Sequence, residues 1–143
     1  MRNYIKSILI SVALVSAAPV LAEDVVVIVN AANAQSLSKA DIKAIYSDNI
    51  IAWSNGQAIV SFDLPVKNEA REGFSRAVLG LSASDAAREW ANRKITNTAK
   101  NPPRTKPENL VVLSVSKDPN AIGYVPASAA QGKSGIKVLM TLN

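Results

Sequence analysis

Apolar residues change their spacing along this chain, and each change marks a predicted element. Val25 to Val29 is an unbroken apolar run, mostly β-branched, which predicts a strand buried on both faces. Asn30 to Ser36 is small and polar, a loop leaving that strand. Ser38 then opens a helix. Its hydroxyl can accept from backbone donors, and Asp41 three residues on complements the helix dipole. Leu37 and Ile42 stand at hydrophobic-staple positions, and Ile42, Ile45 and Tyr46 form the inward face. Ser54-Asn55-Gly56 signals a turn, and Ala58 to Phe62 reads as a second strand.

A helix is predicted from about Asn68 to Leu79. Ala70, Phe74, Ala77, Val78 and Leu81 recur at three- and four-residue steps, with Glu69, Arg71, Glu72 and Arg76 outward and Gly80 as terminator. Ser82 with Asp85 repeats the capping pattern and starts a helix through Trp90 to about Arg93. Ile95 to Lys106 is polar and carries Pro102-Pro103, which predicts an exposed connection. Beyond it the pattern is ambiguous. Thr105 and Glu108, with Pro107 between them, suit a helix start, while the β-branched residues of Leu110 to Val115 favour a strand. Asp118-Pro119-Asn120 is a turn, Ala121 to Val125 a short strand containing Gly123, and Ile136 to Leu142 a final strand. Strands interspersed with helices predict an α/β layer fold with a sheet of about four to five strands.

The N-terminus has a different pattern. Arg2 and Lys6 precede a short apolar run, Ile8 to Val15, and Val20-Leu21-Ala22 places small residues where a signal peptidase cuts. Residues 1–22 therefore read as a signal peptide and Glu23 to Asn143 as one domain. A membrane anchor needs roughly 20 apolar residues, and Ser11, Ser16 and Pro19 interrupt this stretch. No later segment is apolar enough to span. The expected location is the periplasm.

Charge and composition narrow the chemistry. The chain has 16 Lys and Arg against 11 Asp and Glu, a net charge of +5 that falls when Arg2 and Lys6 are removed. Its basic residues are scattered, with one gathering at Lys100, Arg104 and Lys106, and no aromatic platform alternates with them. Nucleic acid is not an expected partner. The chain contains no His and no Cys, which removes His-based triads, cysteine nucleophiles and thiolate or imidazole metal sites. Ser38-Lys39 and Ser116-Lys117 are adjacent pairs, which do not face each other on a helix. Glu69 and Glu72, one turn apart, read as a solvated face with Arg71 and Arg76. The expectation is a protein without enzymatic activity, cofactor or metal. Trp53, Trp90 and Tyr124 read as packing residues. Asn30 and Asn33 leave the first strand toward the expected ligand side, where an asparagine can serve a ligand or its own loop.

Taken in order, three early segments and one late one resemble a known family. They are Val27-Ile28-Val29-Asn30, the run Leu37-Ser38-Lys39-Ala40-Asp41-Ile42-Lys43-Ala44-Ile45-Tyr46, Trp53-Ser54-Asn55-Gly56, and Asp118-Pro119-Asn120-Ala121-Ile122-Gly123-Tyr124-Val125. The succession resembles the periplasmic phosphate-binding proteins that deliver ligand to ABC transporters. The resemblance covers nearly all of Glu23 to Asn143. It implies one lobe of the periplasmic-binding-protein fold, with a mixed sheet flanked by helices, and a helix over Leu110 to Val115.

The same resemblance locates two departures. Family members have two lobes and hold ligand between them, whereas the match here is to the second lobe. Their phosphate loop carries an arginine, a serine and a threonine before a helix bearing a phenylalanine. Aligned on Phe74, this chain has Leu64 in place of the arginine and Asn68, Glu69 and Ala70 in place of serine, glycine and threonine. What remains around the helix start is Lys67, Asn68 and Arg71, which with Asn30 are the candidate ligand residues. They form either a weaker oxyanion site or a solvated surface. Two roles follow. One is binding of phosphate or another small oxyanion, weakly or with a partner. The other is a non-catalytic module that kept the fold, lost the ligand and associates with an envelope protein or with itself.

Overall fold

The computed structural model describes residues 23–143, so the signal-peptide reading of residues 1–22 lies outside the described residues. A five-stranded sheet runs in the order β3-β2-β4-β1-β5. Its strands are β1 (Val25–Asn30), β2 (Val60–Asp63), β3 (Arg104–Thr105), β4 (Ala121–Pro126) and β5 (Ile136–Leu142). The sheet is mixed: β1 pairs antiparallel with β4 and β5, whereas β2 lies parallel to both β4 and β3. All six residues of β1 are buried, as a central strand covered on both faces requires.

Successive residues of β4 show what covers each face. Tyr124 points toward α1 (Lys39–Tyr46) and α2 (Glu69–Phe74), where its ring stacks on Phe74 with centroids 3.8 Å apart and Tyr46 meets Phe74 edge-on at 4.8 Å. Gly123 points the other way, against Val111 and Val115 of α4 (Glu108–Lys117). Helices thus cover both faces, and the alternation of a strand separates the two layers.

Most predicted boundaries lie close to the observed ones. Ser38 caps α1 in a capping box with Asp41, and Ser82 caps α3 (Ala83–Ile95) by accepting from the Asp85 amide. Gly80 ends the α2 region in the left-handed conformation, at φ +69°. Leu110 to Val115 is helical. Five points depart from the sequence reading. The second strand begins at Val60, because Ala58 makes only an isolated bridge to Ala52. The helix expected over Asn68 to Leu79 is α-helical only to Phe74 and then widens into a π-helical turn, Ser75–Leu79. Thr105 does not cap α4: it belongs to β3, and Pro107 stands at the cap without a side-chain bond. A short helix, α5 (Ala127–Ala130), follows β4 directly. Arg71 turns inward.

The segment expected as an exposed connection is exposed or half-buried throughout, yet it is tied down. The Asp48 carboxylate accepts from the backbone amides of Lys100 at 2.6 Å and Asn101 at 2.8 Å, and the Asn101 side chain donates to the Ile59 carbonyl at 2.8 Å. These bonds carry the chain to the edge of β2, where Arg104 and Thr105 pair with Phe62 and Asp63. No helix among the described residues is long and apolar enough to cross a membrane.

Candidate functional site

Ligands of open α/β sheets gather beyond the carboxyl ends of parallel strands. Here β2, β3 and β4 run in parallel and end on one side, at Asp63, Thr105 and Pro126. β1 runs against them, and its register sets Val29 opposite Ile122. Asn30 therefore sits at the opposite end of the strands, about 17 Å from the Val25 end at the rise of a strand. Its amide donates to the carbonyls of Val115 and Ser116, and its oxygen accepts from Ala32. Asn33 holds its own loop by accepting from Gln35. The structure does not bring Asn30 together with Lys67, Asn68 and Arg71.

The other three meet around the first turn of α2. The Asn68 oxygen accepts from the Ala70 amide at 2.8 Å, while its nitrogen donates to Glu108 Oε1 at 2.9 Å. Lys67 is exposed. Arg71, placed outward by the sequence reading, is 5 % exposed. Its Nη2 lies 3.1 Å from Asp63 Oδ2, and its Nη1 donates to the Leu64 carbonyl at 2.8 Å. Leu64 itself is fully buried. The position where the resemblance calls for an arginine is thus filled by apolar core, yet a guanidinium reaches the same backbone from seven residues onward.

Asp63 is bound from three sides. Besides Arg71, its Oδ1 accepts from the Tyr124 hydroxyl and from the Leu64 amide. The Tyr46 hydroxyl donates to the neighbouring Phe62 carbonyl at 2.7 Å. Burial raises the Asp63 carboxyl above the ordinary aspartate range, even though Arg71 and the two hydrogen bonds pull it back. Both phenols are held well above their usual range, first by burial and then by the Asp63 charge. Arg71 Nε is buried with no acceptor.

Two of the cavities that flank α2 take in its first turn. One, about 350 Å³, is lined by Asn68, Ser128 and three carboxylates, Glu23, Glu69 and Glu108. The other, about 230 Å³, lies toward α3 and is lined by Asp63, Arg71, Trp90, Lys94, Pro102 and Thr105, among others. Among the described residues no group of His, Cys, Asp or Glu is arranged to hold a metal ion. Sequence reasoning missed Asp63, Lys94 and Thr105. Asp63 alone left a signal, as an acid ending an apolar strand.

The fold is shared with known proteins. A family model described as a PBP superfamily domain matches residues 12–139. An ABC-type phosphate transport receptor from Vibrio cholerae superposes with a TM-score of 0.63 at 15% identity, over 82% of this chain and 46% of the receptor. PstS from Borrelia burgdorferi gives 0.63 at 13% identity, over 82% of this chain and 46% of that one. A structure from Clostridium perfringens with bound phosphate, assigned as the substrate-binding protein of a phosphate ABC transporter, gives 0.63 at 19%, over 82% and 44%. The likeness is one of fold, and this chain spans under half the length of these proteins. No functionally curated protein matches the sequence.

Proposed function

Because the chain belongs to the PBP superfamily domain family, we propose that it is an exported solute-binding-like protein that holds a small oxyanion, phosphate or a chemical relative. Its binding is weak, or shared with a partner that supplies a second wall. Residues 1–22 act as the signal peptide, and the periplasm is the working compartment.

The observation that carries this reading is the Arg71 guanidinium beside the Leu64 carbonyl, beyond the carboxyl end of β2. A guanidinium has five N–H donors, and Leu64 and Asp63 engage one on each terminal nitrogen of Arg71, which leaves the others for an oxyanion. Lys67 and Asn68 flank the turn that presents it, and neither is aimed at an anion by itself. Asp63 already neutralises Arg71, and Glu69 adds a like charge nearby, so modest affinity follows. A one-walled site also leaves water in contact with the ligand, which weakens every charge–charge term.

Calorimetric titration of the purified protein with phosphate and with sulfate at low ionic strength tests this. The expected result is a saturable, salt-sensitive heat with millimolar or tighter affinity. No heat at millimolar ligand, for monomer and oligomer alike, removes the reading. Intact mass of the secreted protein tests export separately, with Glu23 expected as the first residue.

A further inference from the structure

The cavities beside α2 differ in charge, and that difference selects where an anion can go: one is lined by Glu23 and Asp24 with Arg76. On the α4 side, Glu23, Glu69 and Glu108 together repel an anion. On the α3 side the only carboxylate in the wall is Asp63, whose oxygens already accept from Arg71, Tyr124 and Leu64. Lys94 also lines that cavity, an exposed lysine with no ion-pair partner among the described residues. Thr105 adds a hydroxyl with no hydrogen bond among the described residues, and Arg71 Nε is a donor the fold leaves without an acceptor.

We infer that the oxyanion binds in the cavity between α2, α3 and the Pro102–Thr105 segment, held by Arg71 and Lys94, with Thr105 as a further donor. The inference rests on the oxyanion reading above and gives it a location. A volume of about 230 Å³ corresponds to about eight waters at about 30 Å³ each, room for a tetrahedral anion and part of its hydration shell. Two cations against one paired acid leave the cavity electropositive. Trp90 closes the wall, and Arg93 stacks on its ring at 4.8 Å. Lys94 supplies the contact that sequence patterns do not reveal, because it lies on the next helix, 23 residues beyond Arg71.

The test is a phosphate titration of the wild type, Lys94→Ala and Lys137→Ala, the last removing an equal charge from β5 at the far edge of the sheet. Indole N–H resonances are followed in the same samples. Lys94→Ala is expected to weaken phosphate about tenfold, the scale of a charge-assisted hydrogen bond, while Lys137→Ala stays within twofold. The Trp90 indole signal should move on titration, and that of Trp53, bonded to the Asn120 carbonyl, should not. If the wild type binds but Lys94→Ala binds equally and Trp90 is unmoved, the cavity is wrong and oxyanion binding stands. If the wild type shows no binding at all, both fall together.

Discussion

The guanidinium of Arg71 lies 3.1 Å from the carboxylate of Asp63 and bonds the carbonyl of the very next residue, Leu64, at 2.8 Å. Side-chain exposures of 6% and 11% put this pair inside the fold. Desolvating two ions costs several kcal/mol, which their attraction offsets only when geometry and secondary bonds are good. Asp63 has those bonds, from Tyr124 and Leu64. Removing one partner strands the other. Asp63→Ala is expected to destabilise the protein by about 3–5 kcal/mol in urea unfolding. The double variant Asp63→Leu with Arg71→Met should recover much of that loss. If the single change costs under about 1 kcal/mol, the pair behaves as a surface ion pair.

The same carboxyl gives a pH dependence with a definite sign. Its folded value is raised above the unfolded one, so between the two the folded state binds more protons. Its contribution to stability is therefore fullest below the unfolded value and is lost as pH rises through the folded one. Asp41 and Glu72 act oppositely. Hydrogen bonds from Ser38 and from the Ala83 amide lower their values, and their contributions disappear as pH falls through them. Carboxyl carbon NMR separates the groups: the Asp63 midpoint is expected above that of an ordinary aspartate and the Asp41 midpoint below it. In Arg71→Met, the Asp63 midpoint should climb further, because the largest influence lowering it is gone. A midpoint that stays put would show that the guanidinium does not stabilise the ionised form.

Gly123 is required by the approach of α4 to β4. A Cβ built there would lie 2.7 Å from Val111 Cγ1, and Val111 is fully buried. Gly123→Ala should cost about 1–3 kcal/mol, the usual penalty of overpacking. Adding Val111→Ala removes the obstructing methyl, so the pair should be less destabilised than the two single losses summed. Strict additivity in thermal or urea unfolding would contradict the contact.

What could be read from the sequence was local, and what escaped it depends on tertiary partners. Ser38 with Asp41 and Ser82 with Asp85 are helix starts written within four residues, and both caps form. The valines of Leu110 to Val115 favour a strand locally. They form a helix because Gly123 leaves room for Val111 and Val115 against the sheet. Arg71 reads as outward because it is charged, although its i+3 and i+7 spacing sets it on one helix face with Phe74 and Val78. Its partner lies eight positions back, on a strand end that no helical pattern can register. β3 is two residues long and exists only through pairing with β2. Asn30 looked like a site residue because a buried strand ends there, but strand direction depends on topology, and β1 runs against β2.

Asp48 is a turn residue that holds a distant segment. It follows α1 with φ +68°, a left-handed conformation that Asp tolerates better than most non-glycine residues. Buried to 6% exposure, it accepts from the amides of Lys100 and Asn101. Those bonds fix the Pro102–Thr105 segment that walls the Arg71–Lys94 cavity. Asp48→Ala removes both acceptors and retains the unfavourable φ. A loss of about 2–4 kcal/mol is expected, since two charge-assisted bonds go and two amides are left without partners. Asp48→Asn keeps one acceptor and the tolerance for positive φ, so its loss should be roughly half. Hydrogen exchange locates the effect, with the Lys100 and Asn101 amides losing protection before those of β1. Unchanged protection at those amides in Asp48→Ala would mean that the Asn101 bond to Ile59 holds the segment alone.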